Sequence, residues 1–278
     1  MLAVFYGLLS AFGWGAADFT GGLASRSSKP YQVLFLAEAA GLVPLLALAL
    51  LLREPLPGSS VWLWSASASV VGTVGLLFLY RALAEGHMTI AAPVSALLAA
   101  VVPVMVGGLL EGLPGRLTVL GFLLALISIW IISQNGERRN IRLNLQTLQL
   151  PFAAGLFFGF YFVMIHQATR EAFFWPLVSA RLAGTVVMSI YALVVRGPAL
   201  PARSIWPLVA LGGVLDVTGN AFYVLASRLG RLDVSAVLGS LYPASTVLLA
   251  WILLKERLTP RQWIGILLAL AAITLLTL

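Results

Sequence analysis

The chain alternates between long apolar runs and short polar links. Ten runs stand out, at about residues 2–23, 31–52, 61–83, 88–110, 117–134, 150–168, 176–196, 205–226, 232–254 and 261–278. Several approach 20 residues, enough at roughly 1.5 Å per residue to cross about 30 Å of hydrocarbon. They lack the alternation of barrel strands, so they read as helices that satisfy their own backbone groups. The first run starts at residue 2 with no Lys or Arg before it and outlasts a signal-peptide core. It is expected to be a retained helix. The longest polar stretch, Gln134 to Gln149, lies at the middle of the chain. It divides a first unit, 1–135, from a second, 150–278, with 136–149 as a polar linker.

Composition agrees with this pattern. Of 278 residues, 60% are hydrophobic and only 10% charged, and the mean hydropathy is +1.00. An ordinary soluble domain is about 25% charged. The chain is therefore expected to be an all-α, multi-pass protein of the lipid bilayer, placed in the cell (inner or plasma) membrane. The net charge of +7 does not indicate nucleic acid, because the cations are scattered between apolar runs rather than gathered into a stripe. Loop cations suit anionic headgroups. The chain has no cysteine and two histidines, so neither a metal site nor a cofactor is expected.

The two halves resemble each other. At an offset of 144 residues Gly75 meets Gly219, Phe78 meets Phe222, Gly86 meets Gly230 and Gly121 meets Gly265. The run Leu123–Leu126 meets Leu267–Leu270, and Ala37–Gly41 parallels Ala180–Gly184 at a slightly different offset. Five runs per half is an odd number, so the second half enters the membrane from the opposite face. The expected architecture is ten transmembrane helices in two inverted five-helix repeats, a symmetry common among secondary transporters.

Several residues carry a more specific signal. They are Gly13-Trp14-Gly15 in the first run, Tyr80-Arg81-Ala82-Leu83 at the end of the third, Glu111 after the fourth, and Pro243 thirteen residues before Glu256, with Gly265 beyond. On these features the chain resembles the EamA-type family of the drug/metabolite transporter superfamily over essentially its whole length. The resemblance implies a ten-helix exporter or permease for small metabolites with a central cavity, and runs five and ten at the periphery. In one departure the repeat mate of Pro243 is Ala99, flanked by Pro93 and Pro103. Pro93, Pro103 and Pro243 are expected to interrupt runs four and nine, with any break in run four displaced from position 99.

Ionisable residues at membrane depth are costly and are functional candidates. Glu38 and Arg181 occupy matching places in runs two and seven, as a gate or ion pair. Asp18 lies four residues after Trp14 on one helical face, suited to a cationic or aromatic substrate or to proton coupling. Asp216, Asn220 and Tyr223 form a polar stripe on run eight, expected to face the interior as substrate-binding residues. Tyr80 and Tyr242 complete the candidate substrate site, and His166 joins Asp18 and Glu38 as a candidate proton carrier. The milder stripe of Ser65, Ser69 and Thr73 is expected to bond helices together. Glu111 and Glu256 are expected to cap helices or pair with Arg116 and Arg257.

The leading functional reading is a secondary transporter, an exporter in direction, of small organic metabolites such as amino acids, amines or aromatic compounds, working by alternating access around a midplane cavity. No nucleotide-binding loop of the G-x-x-x-x-G-K-[ST] form is present. A translocase of a lipid-linked or amphipathic carrier is the alternative. A membrane-embedded enzyme is disfavoured by the lack of H-E-x-x-H, an Asp-rich cluster or an activated Ser–His pair. An internal pseudo-dimer is complete as a monomer. An even number of spans puts both termini on one side of the membrane. Loop Lys and Arg counts place them outside, whereas the family resemblance implies the cytoplasm.

Overall fold

A computed structural model of the chain describes residues 1–84, 88–132, 145–255 and 258–277. Among these, every regular element is helical. The order is α1 (Leu2–Ser25), α2 (Pro30–Leu51), α3 (Ser59–Ala84), α4 (Met88–Leu110), α5 (Arg116–Ile132), α6 (Leu145–Ala168), α7 (Phe174–Val194), α8 (Trp206–Leu229), α9 (Leu232–Gly239), α10 (Tyr242–Leu254) and α11 (Pro260–Thr277). A single 3-10 turn, Arg203–Ile205, leads into α8. Among the described residues seven segments are long and apolar enough to cross a membrane, with shorter apolar helices at Val94–Leu110, Arg116–Ile132 and Pro260–Leu276. Large apolar side chains such as Phe5, Phe12, Leu50, Val186, Ile190 and Leu193 point outward. That is the surface of a bundle solvated by lipid. Most of the expected linker, together with Glu256 and Arg257, lies outside the described residues.

The helices pair across the two halves. α1 packs on α8 and on α9–α10; α6, its repeat mate, packs on α3 and α4. α2 crosses α7, and α5 pairs with α11. Each of these pairings has a counterpart under exchange of the halves. Small residues permit the closest approaches: a Cβ on Gly13 would lie 2.9 Å from the Cα of Gly219. Ser128 on α5 donates to the carbonyl of Gly265 on α11 at 2.8 Å.

The fourth helix and its repeat mate differ. α4 runs unbroken through positions 93 and 103, contrary to the expected interruption, whereas the mate is split into α9 and α10 at Ser240–Leu241. Pro243 has no N–H to offer the carbonyl of Gly239, and it sits comfortably in the first turn of α10. Leu241 N–H turns instead to Leu238 O at 3.1 Å. The prolines of α4 lie where the freed carbonyls do not part the helix, and the position matching Pro243 is the fully helical, buried Ala99.

Cross-half latches hold one end of the bundle. The Glu54 carboxylate accepts the N–H groups of Phe173, Phe174 and Trp175 at 2.6, 2.9 and 2.9 Å. It thus caps α7, where a negative charge meets the positive end of the helix dipole. At the same end Glu111 accepts the N–H of Leu232 at 3.1 Å, and Arg231 donates to the carbonyl of Gly112 at 2.7 Å. Glu111 is thus a helix cap, but for α9 of the other half. Hydrogen bonds that the Arg231 guanidinium donates to the Asp233 carboxylate hold it above its ordinary pKa. The opposite end is tied by an amide: Gln32 Nε2 donates to Pro198 O and Leu200 O at 3.0 and 3.1 Å.

Candidate functional site

A cavity of about 140 Å³ lies between the halves. Its charged lining is Asp18 of α1, Glu38 of α2, Arg181 of α7 and Asp216 of α8, each within the apolar length of its helix. Ser69 and Thr73 of α3, Asn220 of α8 and Tyr242 of α10 add polar groups.

Arg181 is the hub. Its Nη1 donates to Glu38 Oε2 at 2.9 Å, and its Nη2 donates to Asp216 Oδ2. The side chains of Arg181 and Glu38 are 11% and 10% exposed, while that of Asp216 is 35% exposed. The network continues along α8, where Asn220 Nδ2 donates to Asp216 O at 2.8 Å and to Asp216 Oδ2 at 3.2 Å. Tyr161 of α6 donates its hydroxyl to Asn220 Oδ1. One chain of hydrogen bonds thus joins α2, α7, α8 and α6. Gly184 provides the space for it: a Cβ there would meet the Glu38 carboxylate at 2.9 Å. The i+3 spacing from Arg181 puts this gap on the face that carries the guanidinium.

Asp18 stands apart. It lines the same cavity and is exposed to it. No described residue makes a hydrogen bond or ion pair with it.

The aromatic wall differs from the expected one. Trp14 lines the cavity but is only 9% exposed. Its indole is held in a slot where a Cβ on Gly219 or Gly239 would come within 2.7 or 2.8 Å of the ring. It stacks on Phe162 at 5.3 Å and tilts against Tyr223 at 5.6 Å. Trp14 is therefore a fixed wall rather than a free platform. Tyr223, expected in the substrate site, does not line the cavity. It is fully buried behind Trp14 and Phe162, and its hydroxyl donates to Phe162 O at 3.3 Å. Tyr242 does line the cavity. The Tyr80 side chain lies outside the described residues.

His166 does not line the cavity either. It sits in the last turn of α6, and its buried Nδ1 has no hydrogen-bond partner. Residues not singled out from the sequence take these places. Phe158, Tyr161 and Phe162 of α6 line the cavity, and so do Ser69 and Thr73, whose stripe predicts bonding between helices instead. The i, i+3, i+4 spacing of the three aromatics was a usable signal, but it is hidden in the apolar run Phe157–Phe162, where one face looks like another. Among the described residues no cluster of His, Cys, Asp and Glu has the makings of a metal site.

The model of the EamA-like transporter family matches residues 1–134 and again residues 147–278. An uncharacterized protein of Methanocaldococcus jannaschii, MJ1333.1, is 30% identical over 119 residues. That match takes in 85% of the archaeal protein but 43% of this chain, so the relative is about half as long. A solved crystal structure superposes on 99% of this chain and 98% of its own, with a TM-score of 0.82 at 19% identity. It is similar in fold.

Proposed function

The chain belongs to the EamA-like transporter family, and from that premise we propose that it is a secondary transporter of small organic solutes working by alternating access. In this reading the chain crosses the membrane ten times, as two oppositely inserted five-helix halves with a boundary between 135 and 150. It works as a monomer in the cell membrane.

The observation that carries the reading is a cavity walled by both halves and lined by ionisable groups from each of them. Buried charge there is costly unless it is paired or used. Rocking the halves about this point would expose the cavity to each side in turn. The polar connections at the helix ends would alternate with it: Glu54 and Glu111 close one end, and breaking their caps would open it. Asp18 and Glu38 are the groups placed to carry a proton through such a cycle. His166, away from the cavity, is less well placed.

The test is solute flux in proteoliposomes of the purified protein. Pools of amines, amino acids and aromatic metabolites are screened with and without a pH gradient. Saturable flux above that of empty liposomes is expected for at least one pool, and Arg181→Leu should abolish it. Wild-type vesicles indistinguishable from empty ones for every pool would overturn the transporter reading.

A further inference from the structure

We infer that the cavity selects small monoamines in their ammonium form and rejects the corresponding amino acids, with Asp18 as the carboxylate that receives the ammonium group. The inference deepens the transport reading and rests on it for the identification of the cavity as the solute site.

The free hydrogen-bonding capacity of the cavity's ionisable groups lies on the acceptor side. A zwitterionic amino acid needs a cation or a set of free donors for its carboxylate. Among the described lining residues Arg181 is the one cation, and each of its terminal nitrogens already donates to an acid, Glu38 or Asp216. A solute carboxylate would approach a guanidinium already flanked by the two carboxylates. Two donors beside it are engaged as well. The Tyr161 hydroxyl is held by Asn220, and the Asn220 amide is held by Asp216.

The acceptor side is different. Asp18 has both carboxylate oxygens free of described partners and faces the cavity. Asp216, although bonded to Arg181, remains 35% exposed. Three acids against one arginine leave the described lining with an excess of acidic groups. A solute bringing one positive charge and no negative charge complements that excess; a zwitterion does not. The rest of the wall suits the body of an amine, since Phe158 and Tyr161 offer aromatic surface to an alkyl or aryl chain and to the flank of an ammonium group. The modest volume of about 140 Å³ favours small solutes.

The experiment is equilibrium binding to the purified full-length protein in detergent. The probes are a ladder of amines, from ethylamine through isobutylamine and isoamylamine to 2-phenylethylamine. Each is paired with the amino acid from which loss of carbon dioxide would form it. At least one amine is expected to bind about tenfold or more tighter than its amino acid, the factor one charge-assisted hydrogen bond supplies. Asp18→Asn should weaken that amine about tenfold or more, while Asp18→Glu keeps it within about threefold. Amino acids binding as tightly as their amines would overturn the inference, as would amine binding indifferent to Asp18→Asn, or no binding by any amine on the ladder. Flux separates the two readings. Amine-selective binding without transport by the wild type would sink the transporter and keep the selectivity. Transport of amino acids without amine preference would do the reverse.

Discussion

Two acidic places share one cavity and are built in opposite ways. Glu38 and Asp216 are tied to a single arginine and backed by Asn220 and Tyr161. Asp18 meets no described partner. In the first place the Glu38 carboxylate is part of what holds the halves together, because Glu38 comes from the first half and Arg181 and Asp216 from the second. In the second place the carboxylate is available to something that is not protein. Position along the chain does not distinguish them, as all are acids inside apolar helices. What separates them is whether a cation lies within reach.

Substitutions can break that contrast. The largest effect is expected from Arg181→Leu, which strands the buried Glu38 carboxylate beside Asp216 without its cation and should cost about 3–5 kcal/mol. Loss of folded, monodisperse protein on size-exclusion chromatography after a temperature ramp would register it. Adding Glu38→Leu to this variant should recover part of the loss, because one stranded charge is then gone; no recovery would mean the pair is not coupled as described.

Glu38→Gln keeps the shape of the side chain and a hydrogen-bond acceptor but removes one charge from beside Arg181. A smaller cost of about 2 kcal/mol is expected, read from the shift of the same thermal transition. Gly184→Ala attacks the space rather than the charge. Its methyl group would press on the Glu38 carboxylate at 2.9 Å, and about 1 kcal/mol is expected from such overpacking. A neutral outcome would show that Glu38 can shift without cost. Asp18→Asn should leave the transition within about 0.5 kcal/mol of wild type, since it removes no contact within the protein. A loss as large as that of Glu38→Gln would erase the contrast and make Asp18 a structural residue.

A second contrast shows how far the sequence could be read. The helical, membrane-spanning character of the chain was legible because hydropathy is a property of consecutive residues and needs no tertiary information. The repeat was legible for the same reason. The break near Pro243 was legible too, since proline removes a specific donor. The same reasoning applied to Pro93 and Pro103 predicted an interruption that α4 does not have. Proline removes one hydrogen bond, but whether the helix parts there depends on what packs against it. At Gly239 the Trp14 ring fills the space where a Cβ would be, and that contact comes from a helix more than two hundred residues earlier.

The candidate site was legible to a similar depth. Glu38, Arg181, Asp216, Asn220 and Asp18 were conspicuous because polar groups are rare inside apolar runs. Tyr223 shared a helical stripe with Asp216 and Asn220, yet it packs behind Trp14 instead of lining the cavity. Tyr161 was overlooked because an aromatic residue within an aromatic run carries no contrast.

The sequence by itself determined that this protein is a bundle of apolar helices in two related halves, and it named the few ionisable groups that the bundle would have to accommodate. Those properties follow from periodicity and transfer free energy, which act residue by residue. Only the tertiary structure decided how the groups are shared. Arg181 and Glu38 are 143 residues apart, and their meeting depends on how helices of opposite halves cross. A charge pair is a matter of a few ångströms between distant segments, and the pattern along the chain does not contain that distance.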